Sequence, residues 1–218
     1  MGVVFGKSNI EEPAFKVLLD RTGVAVPYQI REYGKRIAVE TKMGESDRSP
    51  FMKLAGYIGV VGNQPANEGG TTIDMTAPVV RTDGKGTKIA MTAPVVREEG
   101  IMQFILPAKY DSLEKAPKPT DATVFLKEIP PSVGAVKQYT GSYDQDLCRK
   151  WAIELRQQLR EDGIDLSEEH VLQSYQFWGY NPPFTLPMFR RNEVWIPLTK
   201  QQAASLIASC GSGESSIN

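Results

Sequence analysis

One order of segments occurs twice along this chain: strand-forming residues, an amphipathic helix, then strand-forming residues again. Tyr28-Gln29-Ile30-Arg31-Glu32-Tyr33 resembles Val124-Phe125-Leu126-Lys127-Glu128-Ile129, and Ala38-Val39 matches Ala135-Val136 one residue further along. Each copy then enters a helical stretch. In the first, Ser49 is placed as N-cap and Pro50 at the first helical position, both favoured there. Phe51, Leu54, Tyr57, Ile58 and Val61 fall on one face of that helix. The second is predicted from about Asp144 to Asp162, with Leu147, Trp151, Leu155 and Leu159 spaced by four and Gly163 as C-cap. Further strand candidates follow, Val171–Tyr180 and Glu193–Leu198 in the second half. A duplicated α+β fold with a curved antiparallel sheet and two helices is the expectation.

A shorter repeat lies inside the first half. Ile73-Asp74-Met75-Thr76-Ala77-Pro78-Val79-Val80 recurs as Ile89-Ala90-Met91-Thr92-Ala93-Pro94-Val95-Val96. Between the copies, Arg81–Gly86 is a turn by composition. Alternation of apolar positions predicts two half-buried strands joined by a hairpin. The proline in each copy cannot donate to a ladder, so it belongs at a strand end, bulge or edge. Ile101–Leu106 reads as a third strand, stopped by Pro107.

Composition limits the chemistry. Lys plus Arg is 25 and Asp plus Glu is 26, a net charge of −1, which disfavours bulk electrostatic binding of nucleic acid. The two cysteines, Cys148 and Cys210, form no C-x-x-C and suit a reducing compartment. A single histidine, His170, excludes a multi-histidine metal site. Gly2–Ser8 falls one residue short of P-loop spacing, and Gly6 stands where myristoylation wants Ser or Thr. No leader and no run of roughly 18 apolar residues is present, so the expectation is a cytoplasmic protein without membrane insertion. The tail Gly211–Asn218, small and polar, is expected to be disordered.

Ile73–Val80 with its copy, Tyr57-Ile58-Gly59, Ala116–Asp121, Asn181–Pro187 and Arg191-Asn192-Glu193-Val194 stand as a set of motifs along the chain. Together these motifs resemble the SOUL/haem-binding-protein family. The doubled Met-Thr-Ala-Pro-Val is most similar to the plant and green-algal branch. The resemblance runs from about Glu12 to Leu198. It implies a distorted antiparallel β-barrel of two βαββ-like halves related by a pseudo-two-fold, similar to effector-binding domains of bacterial multidrug regulators. A single domain over 12–200 is expected, with halves at about 24–115 and 122–200 and Ala116–Asp121 as linker. Residues 1–11 form an N-terminal segment and 201–218 a tail.

The implied activity is binding of haem and other tetrapyrroles, as a carrier, buffer or sensor. The implied cleft lies beside the first helix and under the loop before the last strand. A porphyrin needs flat apolar contacts and cations at its propionate rim. The resemblance offers Phe51, Leu54, Ala55, Ile58, Phe184, Leu186, Met188 and Phe189 for the faces. It offers Arg48, Lys53, Arg190 and Arg191 for the propionates, with Met52 and Tyr57 on the same helix. Animal relatives carry a Met-Lys pair before the helical Tyr; here Ala55-Gly56 stands instead.

Haem iron takes His, Cys, Met or Tyr. His170 falls at a helix–strand junction away from this cleft, Cys148 and Met75 and Met91 read as packing residues, and Tyr57 is a weak candidate. No strong axial ligand is expected. The chain carries no nucleophile elbow and no Gly-rich dinucleotide turn. Three alternatives stand beside haem binding: chemistry on the tetrapyrrole such as metal removal, carriage of another amphipathic aromatic, and a protein adaptor docking through the Pro-rich loop.

Overall fold

The computed structural model describes residues 10–43, 48–82, 100–142, 144–181 and 185–211. Among the described residues, nine strands form one antiparallel, curled sheet. In chain order the elements are β1 (Phe15–Arg21), β2 (Tyr28–Tyr33), β3 (Arg36–Lys42), α1 (Arg48–Ile58), β4 (Val79–Thr82), β5 (Ile101–Ile105), β6 (Val124–Ile129), β7 (Ser132–Tyr139), α2 (Gln145–Glu161), α3 (Glu168–Ser174), β8 (Gln176–Gly179), a 3₁₀ turn (Pro187–Phe189), β9 (Asn192–Leu198) and α4 (Lys200–Gly211).

The order across the sheet is β1-β2-β7-β9-β8-β4-β5-β3-β6. The expected duplication is visible in that order. Each half is two strands, a helical segment (α1, or α2 with α3) and two strands, the βαββ-like unit with one strand ahead of it. Within each half the last three strands form a block, β4-β5-β3 and β8-β9-β7. The leading strand of each half, β2 or β6, pairs with the block of the other half. The two blocks join through β4 and β8.

Side-chain alternation divides the core between the two faces of the sheet. On the outer face, α2, α3 and α4 cover Tyr28, Ile30, Val133, Ala135, Val194 and Ile196. On the same face, α1 covers Ile37, Val39, Met102, Phe104 and Val124. The alternate residues Tyr33, Ala38, Val80, Ile105, Val136, Trp178 and Trp195 form a third cluster on the inner face.

Local chemistry sets the helix ends. Asp144 caps α2 by accepting from the Leu147 amide at 2.8 Å, and Gly163 follows its C-cap at φ 105°. Helix α1 begins at Arg48, one residue before the expected cap Ser49, so Pro50 stands within its first turn.

Two strand expectations are corrected. Val171–Tyr180 is strand only at Gln176–Gly179, because Ser167 caps a helix that consumes Val171: its hydroxyl accepts from the His170 amide at 3.1 Å. The first short repeat is strand only from Val79. Before it, the Ala77 amide donates to the Glu11 carbonyl, the Thr76 hydroxyl to the Ile105 carbonyl, and Pro78 has no amide proton to give. The second copy, Ile89–Val96 with Met91, and most of the expected turn before it lie outside the described residues, as does the tail beyond Gly211. Lys200–Gly211, expected as tail, is helical and packs Ala203 and Leu206 into the core.

Ala116–Asp121, the expected linker, is docked against the fold. Ala116 is buried, the Glu68 amide donates to the Lys118 carbonyl at 2.8 Å, and the Thr120 amide donates to the Ala66 carbonyl at 3.0 Å.

Candidate functional site

A groove of about 420 Å³ opens where β3 passes into α1, at the β6 edge of the sheet. Its walls are Thr41, Lys42 and Met43 from the end of β3, Ser49, Pro50 and Lys53 from α1, and Ala122, Thr123 and Phe125 at the start of β6. The pairing of β3 with β6 brings these distant segments together, Thr41 opposite Val124. The Thr41 hydroxyl ties them by donating to the Thr123 carbonyl at 2.8 Å.

The groove combines apolar walls with cations. Phe125 is 54% exposed although it belongs to a strand. The Lys53 ammonium donates to the Thr123 hydroxyl at 3.0 Å, and that hydroxyl donates to Asp121 at 2.7 Å. The Thr123 amide also donates to the same carboxylate oxygen, at 2.8 Å. These two Thr123 bonds, with Lys53 nearby, hold the Asp121 carboxyl below its ordinary range. Lys53 is thus pinned at the groove wall by a short polar relay.

The expected α1 residues divide into two sets. Leu54, Ala55, Tyr57 and Ile58 are buried at 0–2% exposure against the sheet, where they are core. The Tyr57 hydroxyl donates to the Pro117 carbonyl at 2.8 Å, and burial raises its pKa. Its oxygen is therefore engaged away from any ligand. Arg48 and Met52 are exposed, Lys53 lines the groove, and Phe51 is half-buried edge-on to Phe104 with ring centroids 5.4 Å apart.

The expected covering loop forms a second patch. Leu186, Met188 and Phe189 are exposed on the 3₁₀ turn, which is held where Pro187 accepts from the Gly141 amide at 2.9 Å. Arg190 donates its Nε to the Thr185 carbonyl at 2.8 Å. Arg191, expected at the ligand rim, is about one-third exposed and already paired. It lies 3.5 Å from the Tyr180 ring centroid, 2.6 Å from Glu12 and 3.6 Å from Glu193. Phe184 lies outside the described residues.

Sequence reading missed Lys42, Met43, Thr123 and Phe125. The only available signal was Phe125 itself, a large apolar residue at an outward strand position. For a porphyrin the fit is partial but chemical: flat apolar surface chiefly from Phe125, with the largely buried Pro50 beneath it, and lysines at the rim. Among the groove's own residues, Met43 alone carries an iron-ligating side-chain type. His170 is in the first turn of α3, on the part of the sheet covered by α2.

No helix among the described residues is long and apolar enough to cross a membrane. No group of three His, Cys, Asp or Glu able to hold a metal ion occurs among them.

Comparisons with solved structures support the fold. The EcmrR C-terminal domain is similar at 18% identity and TM-score 0.50, over 81% of this chain and 99% of that one. EcmrR in its complex with DNA is similar at 16% identity and TM-score 0.51, over 78% of this chain and 56% of that one. No curated protein matches the sequence. The family model described as SOUL heme-binding protein matches residues 10–197, nearly the whole described sheet with α1 to α3. The chain therefore belongs to the SOUL heme-binding protein family.

Proposed function

We propose that this protein binds haem and related tetrapyrroles in the groove between α1 and the start of β6, as a cytosolic carrier, buffer or sensor. The observation that carries the reading is the groove itself: about 420 Å³, walled by Met43, Pro50 and Phe125, with Lys42 and Lys53 beside the apolar surface. Membership of a family named for haem binding supplies the ligand class. Its residues divide the work. Phe125, Pro50 and Met43 take a macrocycle face, Lys53, Lys42 and Arg48 take propionates, and Phe51 and Met52 border the α1 side. Leu186, Met188, Phe189 and Arg190 are the candidates for a covering wall, together with Phe184. Haem bound here would supply redox and ligand-binding chemistry at its iron, while the chain supplies a flat apolar bed and a cationic rim. The doubled Met-Thr-Ala-Pro-Val supports a place in the plant and green-algal branch.

Absorbance titration with hemin and with protoporphyrin IX tests this. A saturable, shifted Soret band with both ligands is expected, since apolar contact does not need the iron. No spectral change with either overturns the reading. Slow conversion of hemin to the free-base spectrum would instead favour an enzyme acting on the tetrapyrrole.

A further inference from the structure

The inner face of the sheet holds a cluster that the α1 groove does not use. Among the described residues no helix packs against it. Tyr33, Trp178 and Trp195 form a continuous aromatic cluster, Trp178 stacked on Trp195 and Tyr33 tilted against Trp178. The Tyr33 and Trp178 centroids are 5.1 Å apart, and Trp178 lies 6.0 Å from Trp195 at an interplanar angle of 16°. Three guanidiniums enter this region. Arg31 lies over Phe15 at 4.4 Å, Arg36 over Tyr33 at 4.7 Å and Trp178 at 5.9 Å, and Arg191 over Tyr180 at 3.5 Å.

Two carboxylates answer these three cations. Glu193, fully buried, accepts from Arg31 with both oxygens at 3.0 and 3.1 Å. Glu12 takes Arg191 at 2.6 Å. Among the described residues no carboxylate lies within ion-pair distance of Arg36; its Nη2 donates to the Ser132 hydroxyl at 2.7 Å. Its Nε is buried and has no acceptor. Burial also pulls the Arg36 guanidinium below its ordinary pKa, as expected for a cation short of compensating charge.

A second donor is orphaned nearby. Trp195 is 4% exposed, and its indole Nε1 has no acceptor. The adjoining ring carbon, Cε2, lies directly over Gly134, where a Cβ would collide with it. Gly134 and Ser132 are successive inner-face residues of β7. The indole N–H and the Arg36 guanidinium therefore end over neighbouring positions of one strand. A water molecule would satisfy the two donors but leave the positive charge uncompensated. An oxyanion would satisfy both.

We propose that the corner formed by Arg36, Ser132 and Trp195 binds the carboxylate of a small acid. This site is separate from the α1 groove, because α1 packs on Ile37 and Val39 while Arg36 and Ala38 face inward.

Nitrogen-15 correlation spectra of the full chain give the test, since the three tryptophans provide three indole N–H signals. The Trp178 indole donates to Gln176 at 2.9 Å and Trp151 sits on α2, so the signals report different places. Benzoate should shift the Trp195 signal saturably, and neutral benzamide should not. Arg36→Gln should weaken benzoate about tenfold or more, the loss of a charge-assisted bond. Trp195→Phe should weaken it about fivefold, the loss of one hydrogen bond, read under conditions where the melting curve shows the variant still folded. An unmoved Trp195 signal up to about 20 mM benzoate, where even a millimolar site fills, overturns the proposal. Equal shifts with benzamide also overturn it and leave a hydrated corner. Hemin should bind the benzoate-saturated protein with unchanged affinity; competition would overturn the separate placement.

Discussion

Arg31 and Glu193 face each other across β2 and β9 with two hydrogen bonds, at 3.0 and 3.1 Å, although 162 residues separate them in the chain. The pair is almost fully buried, and the Tyr180 hydroxyl donates to the same carboxylate at 2.7 Å. Charges taken this far from water hold their place only through such partners.

Removing one partner should therefore cost far more than removing both. Arg31→Met is expected to destabilise the fold by about 3 kcal/mol, the range for a stranded buried charge. Arg191, 3.6 Å from the same carboxylate, keeps the loss at the lower end. The double change Arg31→Met with Glu193→Met should recover most of it. Urea unfolding of the three proteins decides the matter; a double mutant no better than the single would contradict it.

Lys53 should contribute to hemin affinity through charge. Lys53→Ala is expected to weaken hemin by about fivefold, the scale of an exposed ion pair. Binding of the propionate-esterified analogue should not change. Equal losses for both ligands in a titration would mean that Lys53 shapes the groove and does not hold the rim.

Phe125 and Leu54 should separate ligand contact from core. Phe125 is exposed, so Phe125→Ala should leave Tm nearly unchanged. Covering about 80 Å² of ring at about 25 cal/mol per Å² corresponds to about 2 kcal/mol, so hemin should weaken by up to about thirtyfold. Leu54, at 0% exposure, should behave oppositely, with Leu54→Ala costing about 2–5 kcal/mol of stability. Phe189→Ala, exposed on the 3₁₀ turn, should weaken hemin with Tm unchanged if that turn forms the second wall. Melting curves and hemin titrations on one sample distinguish these outcomes.

The relay through Thr123 gives the groove a pH signature. The Asp121 carboxyl is held below its ordinary pKa by the Thr123 hydrogen bonds. Its stabilising effect is therefore complete above the unfolded value of about 3.9 and is lost as pH falls through the lower folded value. Asp121→Asn should melt below the native protein at neutral pH, and the two curves should converge in strong acid. A constant gap across pH would show that the charge is not responsible.

Replacing His170 by Ala should leave the Soret shift and hemin affinity within a few-fold, because His170 stands on α3 while the groove lies beyond α1. Loss of the shift in a titration of that variant would make His170 the iron ligand and move the site.

Much of the fold was legible because periodicity reports burial. Leu147, Trp151, Leu155 and Leu159 mark α2, and the likeness of β2 to β6 marks the duplication. Helix α3 was hidden because Val171 to Tyr180 is apolar enough to pass for a strand, and only the Ser167 cap distinguishes it. The α1 face read as a ligand wall is core at Leu54 and Ile58: helical spacing identifies a buried face without saying what buries it. The groove was illegible for a different reason. Lys42 and Phe125 meet only because β3 pairs with β6, and no local pattern names a strand's partner. Arg191 read as a rim cation because its partner Glu12 lies 179 residues away.

The exchange of β2 and β6 between the two blocks makes this chain slow to become itself on the ribosome. When residues up to β5 have emerged, β2 has only β1 beside it, and the β4-β5-β3 block has both edges bare. Its two partners, β6 and β8, are still to be synthesised, and exposed edges of this kind invite pairing with other chains. The first half cannot fold and wait as an independent unit. A cut between β5 and β6 should yield two fragments that are each incomplete alone and that complete each other when mixed.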